Sequence, residues 1–127
     1  PELYRERLEQ VVRKCMAAGC VPILNTIPPR RGREAAGAEA NAIIRELAQS
    51  LKVPLADFHA ECIRRRPEGA WDGTLISRDG VHPSGGKSND YSEANLQNCG
   101  YALRNWVNFL VFRQLYFRVF NPEETEK

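Results

Sequence analysis

Asp79 and His82 stand three residues apart in the stretch Arg78-Asp79-Gly80-Val81-His82-Pro83-Ser84-Gly85-Gly86. The glycines and the proline make this stretch a turn or loop. A carboxylate at that spacing can reach one nitrogen of the imidazole. It then fixes the tautomer and leaves the other nitrogen to take a proton. Pro83 restricts the backbone of His82 and so stiffens the base. The pattern offers two members of a catalytic triad, with Asp79 orienting His82; taken in isolation, the same spacing fits better a surface aspartate that ends a turn and a histidine that only packs. No serine completes the triad. Ser50, Ser77, Ser84, Ser88 and Ser92 lack the setting of a nucleophile.

The elements that must position this pair follow from hydrophobic periodicity. Leu8, Val11, Val12, Cys15 and Met16 keep helical spacing, which predicts a helix from about Leu3 to Ala18 with Gly19 as its stop. Val21 to Ile27 reads as a buried strand that Pro28-Pro29 ends. Ala40, Ile43, Ile44, Leu47, Ala48 and Leu51 predict a second helix, followed by a strand over Val53 to Phe58. Ala60 to Arg66 reads as one or two further helical turns. A long, strongly apolar helix is predicted from Ser92 to about Phe117. Helix, strand, helix, strand with short connections is the α/β pattern of a parallel sheet with crossover helices. In such a sheet, functional groups gather beyond the carboxyl ends of the strands. Asn25 and Arg30, at and just past the first strand, are therefore candidate substrate-binding residues. His59, directly after the second strand, stands where it could line the site, but a loop histidine satisfied by water is the favoured reading, and Asp57 is read the same way.

Composition narrows the class. One domain over residues 1–120 with a polar tail over 121–127 accounts for the 127 residues. Apolar content of 43% and charged content of 27% are those of a globular protein. A net charge of +2 lacks the basic stripe of a nucleic-acid binder. No run of 18 apolar residues is present, so no spanning helix is expected. Cys15, Cys20, Cys62 and Cys99 form no metal or redox spacing and read as buried free thiols. These spacings predict no metal site. The aromatic end of the last helix exceeds one buried stripe. It suggests a homo-oligomeric or inter-domain contact, or a non-catalytic module that docks through that helix.

The segment Asp79-Gly80-Val81-His82-Pro83-Ser84 resembles the last sequence block of the SGNH, or GDSL-type, serine hydrolases. Ile23 to Pro29 is similar to that family's fourth strand and following loop. Asn41 to Ala48, with Val53 to Phe58, is similar to the next helix and strand. The resemblance implies a three-layer α/β/α flavodoxin-like parallel sheet, represented here only in its carboxyl-terminal part. It implies a cofactor-free ester or acyl hydrolase acting on a small-molecule, carbohydrate or lipid ester, or an acyltransferase on the same fold. His82 would be the general base and Asp79 its partner. The family's nucleophilic serine, glycine and asparagine blocks would precede Pro1, so these residues read as a fragment inactive alone. The compartment is not fixed by the sequence, although the resemblance is compatible with an extracytoplasmic one.

Overall fold

The computed structural model describes residues 1–69 and 71–120. The polar tail over 121–127 lies outside the described residues. Among the described residues five helices and two short strands follow one another: α1 Glu2–Ala17, β1 Leu24–Asn25, α2 Glu34–Leu51, β2 Leu55–Ala56, α3 Phe58–Arg65, α4 Glu93–Leu96 and α5 Gly100–Phe120. β1 and β2 pair in parallel, Leu24 against Leu55 and Asn25 against Ala56. The α2 crossover between them is what a parallel pair requires.

This architecture corrects the expected three-layer α/β/α flavodoxin-like sheet. The chain is mostly helical, and its only sheet among the described residues has two strands of two residues each. The apolar runs over 21–27 and 53–58 are longer than the strands they contain. Pro22 and Pro54 stand before each strand, Pro28 closes the first, and Asp57 starts α3 directly after the second. A ladder grows only where a neighbouring strand offers partners, and beyond these pairs the described residues add only isolated bridges, Asp72 with Ile76 and Ile76 with Pro83.

Two apolar clusters form the core. Val12, Ile43, Ile44 and Leu47 of α1 and α2 pack with Leu24. Phe58 and Cys62 of α3 pack with Ala56, Leu75, Leu103 and Val107. α1 ends one residue before its predicted limit. Gly19 adopts a left-handed φ of 77° just beyond it, as a helix stop of that kind needs. α2 carries a fully buried amide. Asn41 Oδ1 accepts from Ile27 N–H at 2.7 Å, and its Nδ2 donates to Ile27 O at 2.9 Å. One side chain thus closes the backbone where β1 ends. Asn41→Leu is expected to cost about 2–3 kcal/mol in urea unfolding, since it strips both groups of their partner.

The predicted helix over 92–117 is interrupted. α4 ends at Leu96 and α5 begins at Gly100. The break is made by Ser84, whose hydroxyl accepts from Gly100 N–H at 2.9 Å and whose carbonyl accepts from Tyr101 N–H at 3.1 Å. Beyond Val111, which still packs against the second cluster, α5 outruns the core, and its outer face is open from Phe109 onward. Phe109, Phe112, Val119 and Phe120 are at least half exposed. No helix among the described residues is long and apolar enough to cross a membrane.

Candidate active site

Residues 75–84 form a small closed hairpin. Ser84 N–H donates to Leu75 O at 3.0 Å and Ser77 N–H to His82 O at 2.8 Å. Gly80 N–H donates to Ser77 O at 2.9 Å, which makes Ser77 to Gly80 a tight turn. Leu75 and Ile76 anchor the hairpin in the core with 0% and 1% exposure. At its tip Gly80 takes a φ of 71°, and a Cβ there would lie 2.7 Å from Arg31 Cβ. Only glycine serves both conditions. Arg31 in turn holds the hairpin to the loop after β1. Its N–H donates to Gly80 O at 2.9 Å, and its guanidinium donates to Arg78 O and pairs with Asp72.

Asp79 divides its two oxygens between two tasks. Oδ1 accepts from the Ser77 hydroxyl at 2.6 Å, from Val81 N–H at 2.8 Å and from His82 N–H at 3.1 Å. Oδ2 lies 2.6 Å from His82 Nδ1. The bond from His82, then those from Ser77 and the two backbone N–H groups, hold the Asp79 carboxyl well below the usual carboxylate range. An ionised Asp79 calls for the hydrogen on Nδ1 and leaves Nε2 with its lone pair. The pair stands in the open, the imidazole 69% and the carboxylate 49% exposed.

Among the described residues no hydroxyl or thiol is hydrogen-bonded to the His82 ring. Ser77 is bound to Asp79. Ser84 is buried and held by the backbone of Thr74, Asn98 and Gly100. Burial pushes the Cys62 thiol up to about 12, so it stays protonated and inert. Cys99 is also buried, whereas Cys20 is exposed and Cys15 half-buried, which corrects the reading of all four thiols as interior.

Asn25 and Arg30 lie on a cleft of about 650 Å³ beside the hairpin, together with Val81 and Pro83 on either side of His82. The structure adds Arg104, Asn105 and Asn108 from α5, three residues the sequence reading did not single out. Asn108 Nδ2 donates to Asn25 Oδ1 at 2.7 Å and ties α5 to the end of β1. Their spacing of 83 residues left no local signal. One was available in retrospect: Arg104 and Asn108 are i, i+4 on one helix and so share a face.

Asp57 and His59 have structural work. Asp57 Oδ1 accepts from Ala60 N–H at 3.0 Å, capping α3, and from the Thr26 hydroxyl at 2.9 Å. Arg45 forks onto both its oxygens at 2.7 and 3.1 Å. Burial works to raise the Asp57 carboxyl, but the bonds from Arg45, Ala60 and Thr26 together hold it below the usual range. His59 N–H donates to Thr26 Oγ1, so the ends of both strands are clamped together. Burial, then the Arg45 charge, lowers the His59 imidazole, with the Asp57 charge acting against them. Among the described residues no cluster of three or more His, Cys, Asp or Glu has the grouping a metal site needs. No family model, curated protein or solved structure matches this chain.

Proposed function

We propose that this chain carries the base and its orienting carboxylate of a serine-dependent ester hydrolase of the SGNH type. The observation that supports the reading is the 2.6 Å contact between Asp79 Oδ2 and His82 Nδ1, on a hairpin beside the cleft at the end of β1. In the reaction, His82 Nε2 takes the proton of a serine hydroxyl as that oxygen bonds to the ester carbonyl carbon. The imidazolium returns the proton to the departing alcohol as the carbon–oxygen bond breaks. Water, deprotonated by the same nitrogen, then bonds to the acyl carbon, and as the bond from that carbon to the serine oxygen breaks the imidazolium returns its proton to the serine and the acid leaves.

The serine would come from a segment beyond these residues. The exposure of the pair is consistent with that, because a working triad needs a dry surround that another surface must supply. The edge of β1 away from β2 also has no strand partner among the described residues. The reading predicts a Gly-Asp-Ser block encoded upstream of Pro1. A chain extended to include it is expected to react with a fluorophosphonate probe and to hydrolyse p-nitrophenyl acetate, while the 127-residue chain does neither. His82→Ala in the extended chain should abolish both. An extended chain that resists the probe, or a His82→Ala variant with full activity, would end the proposal. Adding a competing alcohol separates hydrolase from acyltransferase, according to whether the acyl group goes to water or to the alcohol.

A further inference from the structure

Two arginines line the cleft beside His82, and the Arg104 guanidinium also lies over the Tyr101 ring, 5.4 Å from its centroid. Arg30 comes from the loop after β1 and Arg104 from α5, and neither forms an ion pair among the described residues. Arg31, Arg45 and Arg65, by contrast, are all paired with carboxylates. Among the described residues no aspartate or glutamate lines the cleft. Its remaining wall is apolar where Ile27, Phe58 and Pro83 contribute and amide where Asn25 and Asn108 meet.

Two unneutralised cations on one concavity raise its positive potential, and low-dielectric walls focus it. Guanidinium groups bind carboxylates through paired N–H donors, so an anion held there gains charge-assisted hydrogen bonds. Asn108 cannot substitute for them, because its Nδ2 already donates to Asn25 Oδ1 and to Arg104 O. A volume of about 650 Å³ is that of a small-molecule site. The geometry points to this cleft as a subsite for a small ester that carries a carboxylate, with Arg30 and Arg104 as the residues that select it. The ester part of this statement rests on the hydrolase reading. The selection of the anion does not.

The experiment is a nuclear magnetic resonance titration of the 127-residue chain with monomethyl adipate and, separately, with its neutral dimethyl ester. The monoester should shift the amide signals of Val81, Asn105 and Asn108 saturably, and bind at least about tenfold more tightly than the diester. Arg30→Gln and Arg104→Gln should each weaken the monoester about tenfold, or about 1.4 kcal/mol, and leave the diester unchanged. Both side chains are exposed, so the variants keep their fold, which the dispersion of the spectrum checks. Equal binding of the two esters, no saturable shift, or a double Arg30→Gln/Arg104→Gln variant that binds normally would overturn the inference. A failed hydrolase reading looks different: the extended chain resists the fluorophosphonate while the anion preference persists.

Discussion

Gly100→Ala is expected to destabilise the fold by at least about 3 kcal/mol, a loss near the upper end of what overpacking produces. A Cβ at position 100 would overlap Leu75 O and would stand 2.8 Å from Ser84 N. These are backbone atoms joined by the hydrogen bond from Ser84 N–H to Leu75 O, so no flexible side chain can give way. Relief requires α5 to withdraw from the hairpin. That breaks the bonds from Gly100 N–H to Ser84 Oγ and from Tyr101 N–H to Ser84 O. Gly37→Ala is the control. Gly37 lies inside α2 with a φ that is not left-handed, and nothing stands within 4 Å of its added Cβ. The same change there should stabilise by about 0.5–1 kcal/mol through helix propensity. Thermal melts of the two variants should therefore move in opposite directions, by roughly 10 °C downward and a few degrees upward. A Gly100→Ala variant as stable as the wild type would mean that α5 and the hairpin do not pack as described.

The same contact explains what could and could not be read from the sequence. α1 and α2 were legible because their apolar residues recur at helical spacing and Gly19 marks a stop. That signal is local. The single helix expected from Ser92 to Phe117 is two helices because the Ser84 hydroxyl, sixteen residues upstream, takes Gly100 N–H. No periodicity within 92–117 encodes a partner at 84. The sheet was over-read for a related reason. An apolar run such as Val53 to Phe58 gives the right residues for a strand but not the neighbour that makes it one, and only Leu55 and Ala56 find partners. The contact between Asp79 and His82 was legible because three residues in a turn already bring the groups together. Arg104 and Asn108 were not, because which face of α5 meets β1 is decided by burial of Leu103 and Val107 among residues of α3 and β2.

Asp79→Asn should cost much in rate and little in stability, and the disparity tests the role assigned to the residue. On the hydrolase reading, kcat/KM of the extended chain should fall by about 10⁴, as expected when an amide replaces the carboxylate behind a catalytic imidazole and inverts its tautomer. The hairpin should survive, because Oδ1 of an asparagine can still accept from Val81 and His82 N–H. The stability change should be small at neutral pH, since both partners are exposed and solvent screens their attraction. Its pH dependence has a definite sign. The carboxyl is held below the usual range by His82, Ser77 and two backbone N–H groups, so the folded state favours the ionised form. That contribution is present above the unfolded value, near 3.8, and is lost as pH falls through the folded value below it. Urea midpoints of wild type and Asp79→Asn should differ by a constant amount above about pH 5 and converge in more acidic buffer. Convergence at high pH instead would reverse the sign and contradict an ionised Asp79. A rate loss no larger than the stability loss would reduce the pair to a turn-forming contact, because a carboxylate that only shapes the hairpin has no means of slowing chemistry ten-thousandfold while the hairpin stands.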